Sequence, residues 1–231
     1  MENWSRRPNF CYNIFMIKIY NGDKLTRQPF FIKLINYLQI HDDVTLRQIK
    51  RNFTDTEHLE RSIEDYVQAG YVLRENKHYY NAFELLENLD GLTLDSQIFV
   101  DDQSSIYQDL LALTFETYLS NQTNAALIIE KTDISRDALT LSNYFFKLNE
   151  NFPLSRKQKP LYHLLGDVNP NYALKYMTTF LLKFWGKDVV KQKRPDIFVQ
   201  ALVLLGYLEQ VDKQSYCLKM TFDKEKLIFA S

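Results

Sequence analysis

Residues Leu59–Tyr80 read Leu-Glu-Arg-Ser-Ile-Glu-Asp-Tyr-Val-Gln-Ala-Gly-Tyr-Val-Leu-Arg-Glu-Asn-Lys-His-Tyr-Tyr. Leu59, Ile63 and Val67 recur at helical spacing with Tyr66 at their edge, which predicts an amphipathic helix. Gly70 supplies the left-handed residue that ends such a helix. Tyr71–Arg74 and Lys77–Asn81 then alternate as two short strands around a Glu75-Asn76 tip. The stretch is a helix, a stop and a hairpin.

Upstream, Met16–Tyr20 alternates like a strand, and Asn21-Gly22-Asp23 is a turn signal. Pro29 suits the first position of a helix whose Phe30, Phe31, Leu34, Ile35 and Leu38 share a face. Thr45-Leu46-Arg47-Gln48 has the spacing of a capping box, as does Thr54-Asp55-Thr56-Glu57. These predict second and third helices with Leu46, Ile49 and Phe53 inward on the second. Met16 to Ala82 therefore runs strand, helix, helix, helix, hairpin, with the first strand expected against the hairpin. Residues 1–15 read as an extension ahead of a tidier start at Met16.

A shift of 136 positions carries Gly70-Tyr71 onto Gly206-Tyr207, Asn76-Lys77 onto Asp212-Lys213, and Tyr80 onto Tyr216. Ile63 and Val67 fall on Val199 and Val203. Pro195–Tyr216 is thus a second helix, stop and hairpin. Between the copies, helices are expected at Phe83–Leu89, Ile106–Leu119, Ser135–Leu148 (capped at Ser135), Ser155–Leu165 and Asn171–Trp185. The last is apolar on nearly every face and is expected to be buried. Gln97–Val100 reads as a strand. Ala125–Ile129 reads as a strand or as a buried helical turn, since periodicity does not separate the two in so short a run.

The chain has 231 residues, a net charge of −1, and only 6 Gly and 6 Pro against 31 Tyr and Phe, which favours helices and packed cores over a turn-rich β architecture. Cys11 and Cys217 lie far apart and form no metal or redox pair. No apolar run approaches a membrane span, and the first residues are too polar for a signal segment. The expected location is the cytoplasm. His41, His58, His78 and His163 match no metal-binding spacing. Asp101-Asp102 after a strand suits Mg²⁺, and suits equally a loop that caps the next helix. No phosphate-cradling glycine loop and no nucleophile elbow is present. Neither an enzyme nor a cofactor is expected.

Leu25-Thr-Arg-Gln-Pro-Phe-Phe31, Ile63-Glu-Asp-Tyr-Val-Gln-Ala-Gly-Tyr71, Leu139-Thr-Leu-Ser-Asn-Tyr-Phe145 and Gln192-Lys-Arg-Pro-Asp-Ile-Phe-Val199 resemble an uncharacterised family of Gram-positive bacteria, a domain of unknown function. The resemblance implies a complete bacterial cytosolic protein, and no activity. Residues 16–82 also resemble winged-helix domains in general. The expected architecture is α+β, mainly α: a winged helix over 16–82, a helical middle over 83–170, and a winged-helix-like unit over 171–231.

In a winged helix the third helix ordinarily enters the major groove. Here residues 54–70 carry five acidic side chains against Arg61 alone, which opposes that use. Phosphate contacts are instead expected from Arg47, Lys50 and Arg51 on the second helix and from Arg74 and Lys77 in the hairpin. A second group is Lys187, Lys191, Lys193 and Arg194. Over 183–194, five cations face Asp188 alone. Arg156, Lys157 and Lys159 open a helix at its positive end, either as a solvated turn or opposite an anion. Trp4, Tyr12, Phe15, Trp185 and Phe229 are candidates for a partner or self-association surface, or for core. The expected function is a non-enzymatic DNA-associated or transcription-related binding protein. The alternative is a winged-helix protein-interaction adaptor without nucleic acid.

Overall fold

A computed structural model describes residues 16–231; Trp4, Cys11, Tyr12, Phe15 and the expected extension lie outside the described residues. The chain divides into two compact units, the first ending at Leu110 and the second beginning at Leu111. Among the described residues there are eight α-helices and four sheets, with 35% helix and 20% strand. The mainly-α expectation is therefore corrected to a balanced α+β protein, and the helical middle is overturned with it.

In the first unit, β1 (Ile17–Tyr20) precedes α1 (Pro29–Ile40), whose Phe31, Leu34, Ile35 and Leu38 are buried. A two-residue strand, β2 (Val44–Thr45), leads into α2 (Leu46–Asn52). The Thr45–Gln48 capping box forms as read: the Thr45 amide donates to Gln48 Oε1 at 2.7 Å and the Gln48 amide to Thr45 Oγ1 at 3.4 Å. The second box does not form. α3 (Leu59–Gln68) starts two residues after Glu57, from a left-handed His58 that makes no side-chain cap. The residues before it turn instead, leaving Phe53 edge-on to Phe30 and Tyr37. Tyr66, expected at the edge of the helix, is fully buried, and its hydroxyl donates to Gln28 Oε1 at 2.6 Å. Burial first, and then the Asp65 charge, push its phenol up to about 12. Tyr66→Phe is expected to cost about 1 kcal/mol of stability, the worth of one such bond, measured by chemical denaturation.

The hairpin is β3 (Val72–Glu75) and β4 (His78–Asn81). Glu75 pairs with His78, so its tip is Asn76-Lys77, one residue later than read. Both tip residues have positive φ, 50° and 69°, the conformation that matches the twist of the flanking strands. The sheet order is β2-β4-β3, with Val44 opposite Tyr79. Because β2 occupies the free edge of β4, β1 does not reach the hairpin. It pairs antiparallel with β5 (Ile98–Asp101), Ile17 opposite Asp101. The expected helix at Phe83–Leu89 is absent. Phe83 and Leu85 pack inward by alternation, with the Phe83 ring stacked on Phe99 at 4.0 Å and the Leu86 amide bonded to the Phe99 carbonyl.

The long helix expected from Ile106 stops early: α4 is Ser105–Ala112, and Phe115–Leu119 is strand β6. Phe-Glu-Thr-Tyr-Leu also has the alternation of a strand, and its long-range partner decides between the two periods. That partner is β7 (Leu127–Thr132), flanked on its other side by a parallel β12 (Ile228–Ala230) and then β11 (Thr221–Asp223). α5 is Leu141–Asn149, capped by Thr140 and not by Ser135. Ser135 sits in a turn held by Asp133. α6 (Lys159–Leu165) is shorter than read, so Arg156 and Lys157 precede it in an exposed turn. α7 is Pro170–Phe184, capped by Asn169.

After α7 come β8 (Val190–Lys191), α8 (Ile197–Leu204) capped by Asp196, β9 (Leu208–Gln210) and β10 (Ser215–Leu218). The order β8-β10-β9 has the same connectivity as β2-β4-β3. The helix stops match closely. Gly70 and Gly206 have φ of 80° and 77°, with Tyr71 bonded to the Tyr66 carbonyl and Tyr207 to that of Leu202. No helix corresponding to α2 lies between β8 and α8. The second tip, Asp212-Lys213-Gln214, is one residue longer than the first, because Val211 bonds to Ser215 and Gln210 pairs with Tyr216. This moves the echo on the return strand by one position. Tyr216 stands opposite Val190 as Tyr79 stands opposite Val44, so its counterpart is Tyr79 and not Tyr80.

Candidate functional site

Of the five cations expected to meet phosphate in the first unit, two are paired with acids of α3. Arg47, Lys50 and Arg51 lie exposed on α2, but Lys50 forms an ion pair with Glu60 of α3. Arg74 on β3 is held by Glu64 of α3, with Nη1 to Oε2 at 2.8 Å. Hydrogen bonding to Tyr79 and then to Glu64 holds the Arg74 guanidinium above its ordinary range. Lys77 projects at the hairpin tip. The acidic face of α3 thus takes up two of its own unit's five candidate cations. Asp102 is spent locally as well: its carboxylate accepts from the Met16 amide at 3.1 Å and pairs with Lys18 at 3.5 Å. Among the described residues, no group of three or more His, Cys, Asp or Glu side chains is placed to hold a metal ion.

The second group differs. Lys187, Lys191, Lys193 and Arg194 are all exposed, and among the described residues none is in an ion pair. The Lys187 ammonium donates to the Lys183 carbonyl at 3.1 Å, a bond that leaves its charge unneutralised. Asp212 faces Lys191 without contact; its carboxyl is kept low chiefly by the Gln214 amide. The segment's course is set by two polar contacts. Lys183 Nζ donates to Gln192 Oε1 at 2.7 Å, and Gln192 Nε2 donates to the Arg194 carbonyl at 3.1 Å. Asp196 then caps α8 through the amides of Phe198 and Val199.

α7, expected to be buried on several sides, exposes Tyr172 and Tyr176. The two rings lie 4.7 Å apart, and Tyr176 stacks on the buried Phe198 at 5.4 Å with an interplanar angle of 6°. The hydrogen bond between the two phenols raises that of Tyr172 above its ordinary range. A usable signal was in the sequence: Tyr172, Tyr176, Thr179 and Lys183 recur at i, i+4, i+7 and i+11, all polar-tipped. Trp185 is also partly exposed, beside Phe222 at 4.9 Å, whereas Phe229 is core.

Sequence reading also missed a buried polar group in the second unit. Strand alternation turns Ile128, Glu130 and Thr132 inward together, and all three are buried. The Glu130 carboxylate accepts from the amides of Leu141 and Ser142 at 2.7 and 2.8 Å, at the N-terminus of α5. Burial raises its pKa, against the pull of those amides. Thr132 and Asn143 bond side chain to side chain, and Lys147, itself buried, pairs with Asp137 at 2.5 Å. Each of these groups is satisfied by a neighbour, so the arrangement ties α5 to β7 and presents no reactive group.

Two clefts remain. One of about 620 Å³ in the first unit is lined by residues 84–99, including Glu84, Glu87 and Asp90. One of about 480 Å³ in the second lies between the end of α5 and Asp167–Pro170. Neither contains a candidate cation. No described helix is long and apolar enough to cross a membrane.

Neither a curated protein nor a solved structure matches the chain. A family model does match, beginning with β1 and ending just after α4. Residues 17–113 match the model of the uncharacterised family described as Domain of unknown function (DUF1803).

Proposed function

We propose that the chain is a non-enzymatic, cytoplasmic binding protein that contacts the phosphates of DNA through the connector Lys187–Arg194. The observation that carries this reading is the contrast between the two cation groups. In the first unit, α3 neutralises Lys50 and Arg74. In the second, four exposed cations are gathered within eight residues with Asp188 as the single acid among them. Clustered ammonium and guanidinium groups without acidic partners release counterions on meeting a polyanion, and that release drives sequence-independent binding. The winged-helix-like order of helix, edge strand, helix and hairpin recurs around this connector and suits such a role. In this reading α8 does not enter a groove, since its exposed Gln200 and Ile197 offer little to base edges.

Titration of the full chain against duplex DNA at low and moderate salt tests the reading. Binding that weakens steeply with salt is expected. No binding at low salt overturns it.

A specific observation favours a second reading for the first unit. Asp65 on α3 and Glu57 just before it are exposed and without ion pairs among the described residues, which suits a basic protein partner. In that case the first unit is a winged-helix adaptor, and a charge-reversed α3 would lose the partner without altering DNA binding.

A further inference from the structure

Two contacts fasten the end of the connector, and the start of α8 that follows it, to the exposed face of α7. Tyr172, Tyr176, Thr179 and Lys183 form a single exposed stripe that spans eleven helical rises, about 16 Å. The connector is fastened to both ends of it. Gln192 meets Lys183 at the C-terminal end, and Phe198 meets Tyr176 and Tyr172 at the N-terminal end, at 5.4 and 5.9 Å. Lys193 and Arg194 fall between those fastenings. The rings form an outward ladder. Phe198 is 6% exposed, Tyr176 is 36% exposed and Tyr172 is 52% exposed, with Ile197 beside them at 49%. Phe198 stacks on Tyr176, and Tyr172 lies tilted against both, which leaves it as the most exposed ring of the three.

A half-exposed aromatic ring on the helix that holds a basic connector matches the needs of an unpaired nucleic-acid strand. The phosphates track the cations, and a base continues the ring ladder. A duplex has no use for the ring, because its bases already stack on one another. We infer that this strip binds single-stranded DNA, with Tyr172 as a base-stacking platform and Lys193 and Arg194 on the adjoining phosphates. The inference rests on the phosphate-binding reading above and adds the strand state and the base contact.

The test is fluorescence anisotropy of the full chain with a short labelled oligothymidylate, competed by a duplex and by an abasic strand of the same length. Tyr172→Ala is expected to weaken oligothymidylate binding roughly ten-fold while leaving the abasic strand unaffected. Tyr172→Phe keeps the ring and is expected to bind as the parent does. Lys193→Gln with Arg194→Gln is expected to weaken both strands alike. Unchanged oligothymidylate binding by Tyr172→Ala, or a duplex that outcompetes the single strand, overturns the inference and leaves the phosphate reading standing. Failure of every strand, single, double or abasic, to bind at low salt overturns both. Tyr172 is exposed, and unchanged circular dichroism and thermal midpoints verify that its variants fold.

Discussion

Replacing Glu130 with alanine is expected to destabilise the second unit by roughly 3 to 5 kcal/mol, among the largest single-residue losses in the chain. Its carboxylate is the sole partner given to the amides of Leu141 and Ser142, which are among the free N–H groups at the start of α5. Alanine leaves both amides unmet in a buried place and opens a void beside Thr117 and Ser142. Glu130→Gln keeps one accepting oxygen and should cost less. The two substitutions also differ in pH response. Burial raises the Glu130 pKa in the folded chain, so the folded chain holds this proton over a range where the unfolded chain has released it. Its contribution to stability is then full below the unfolded value, about 4.3, and is lost as pH rises through the raised folded value. Glutamine cannot titrate. Urea denaturation across a pH series should show the parent losing stability relative to Glu130→Gln as pH rises through that window. A constant difference would mean that burial does not hold the proton.

Phe229→Ala is expected to cost roughly 3 to 5 kcal/mol as well, by a different cause. Phe229 is fully buried on β12, opposite Ile128 of β7 and 4.2 Å from the ring of Phe222. Truncating it leaves a cavity in the strand that joins the C-terminal hairpin to the rest of the four-stranded sheet. Trp185, about two-fifths exposed, should lose closer to 1 kcal/mol on the same truncation, for the smaller area it removes from water. Equal effects at the two positions, measured by denaturation midpoints, would contradict the assignment of Phe229 to core and Trp185 to surface.

The parts of the fold that could be read in advance were those with local causes. Thr45–Gln48 closes a capping box with atoms three residues apart, and Gly70 and Gly206 end helices through bonds spanning five. Pro29 opens a helix by the same short-range logic. The misread parts depend on distant partners. β2 is two residues long and has no period to detect. Phe115–Leu119 satisfies helix and strand patterns alike until β7 pairs with it, and β7 in turn lies beside a strand about 100 residues later. Phe83–Leu89, expected as a helix, takes an extended course along Phe99, which the alternation of Phe83 and Leu85 fits.

The candidate site was legible in part for similar reasons. Charge counts over 54–70 and 183–194 separate an acidic helix from a basic connector without any structure. Which cations are neutralised is a tertiary fact, seen in Lys50 with Glu60 and Arg74 with Glu64. The rings of Tyr172 and Tyr176 were hidden by their chemistry. An aromatic residue at helical spacing is ordinarily core, and the placement of Phe198 and Ile197 is what leaves these two at the surface.

The most direct test of the account is the salt dependence of DNA binding by the parent chain and by a variant with Lys187, Lys191, Lys193 and Arg194 all changed to glutamine. Each lost phosphate contact should lower the slope of log affinity against log salt by about 0.7 to 0.9. The account predicts slopes that differ by about 3, with Arg47→Gln and Arg51→Gln having little effect. Coincident slopes for the parent and the connector variant would contradict it.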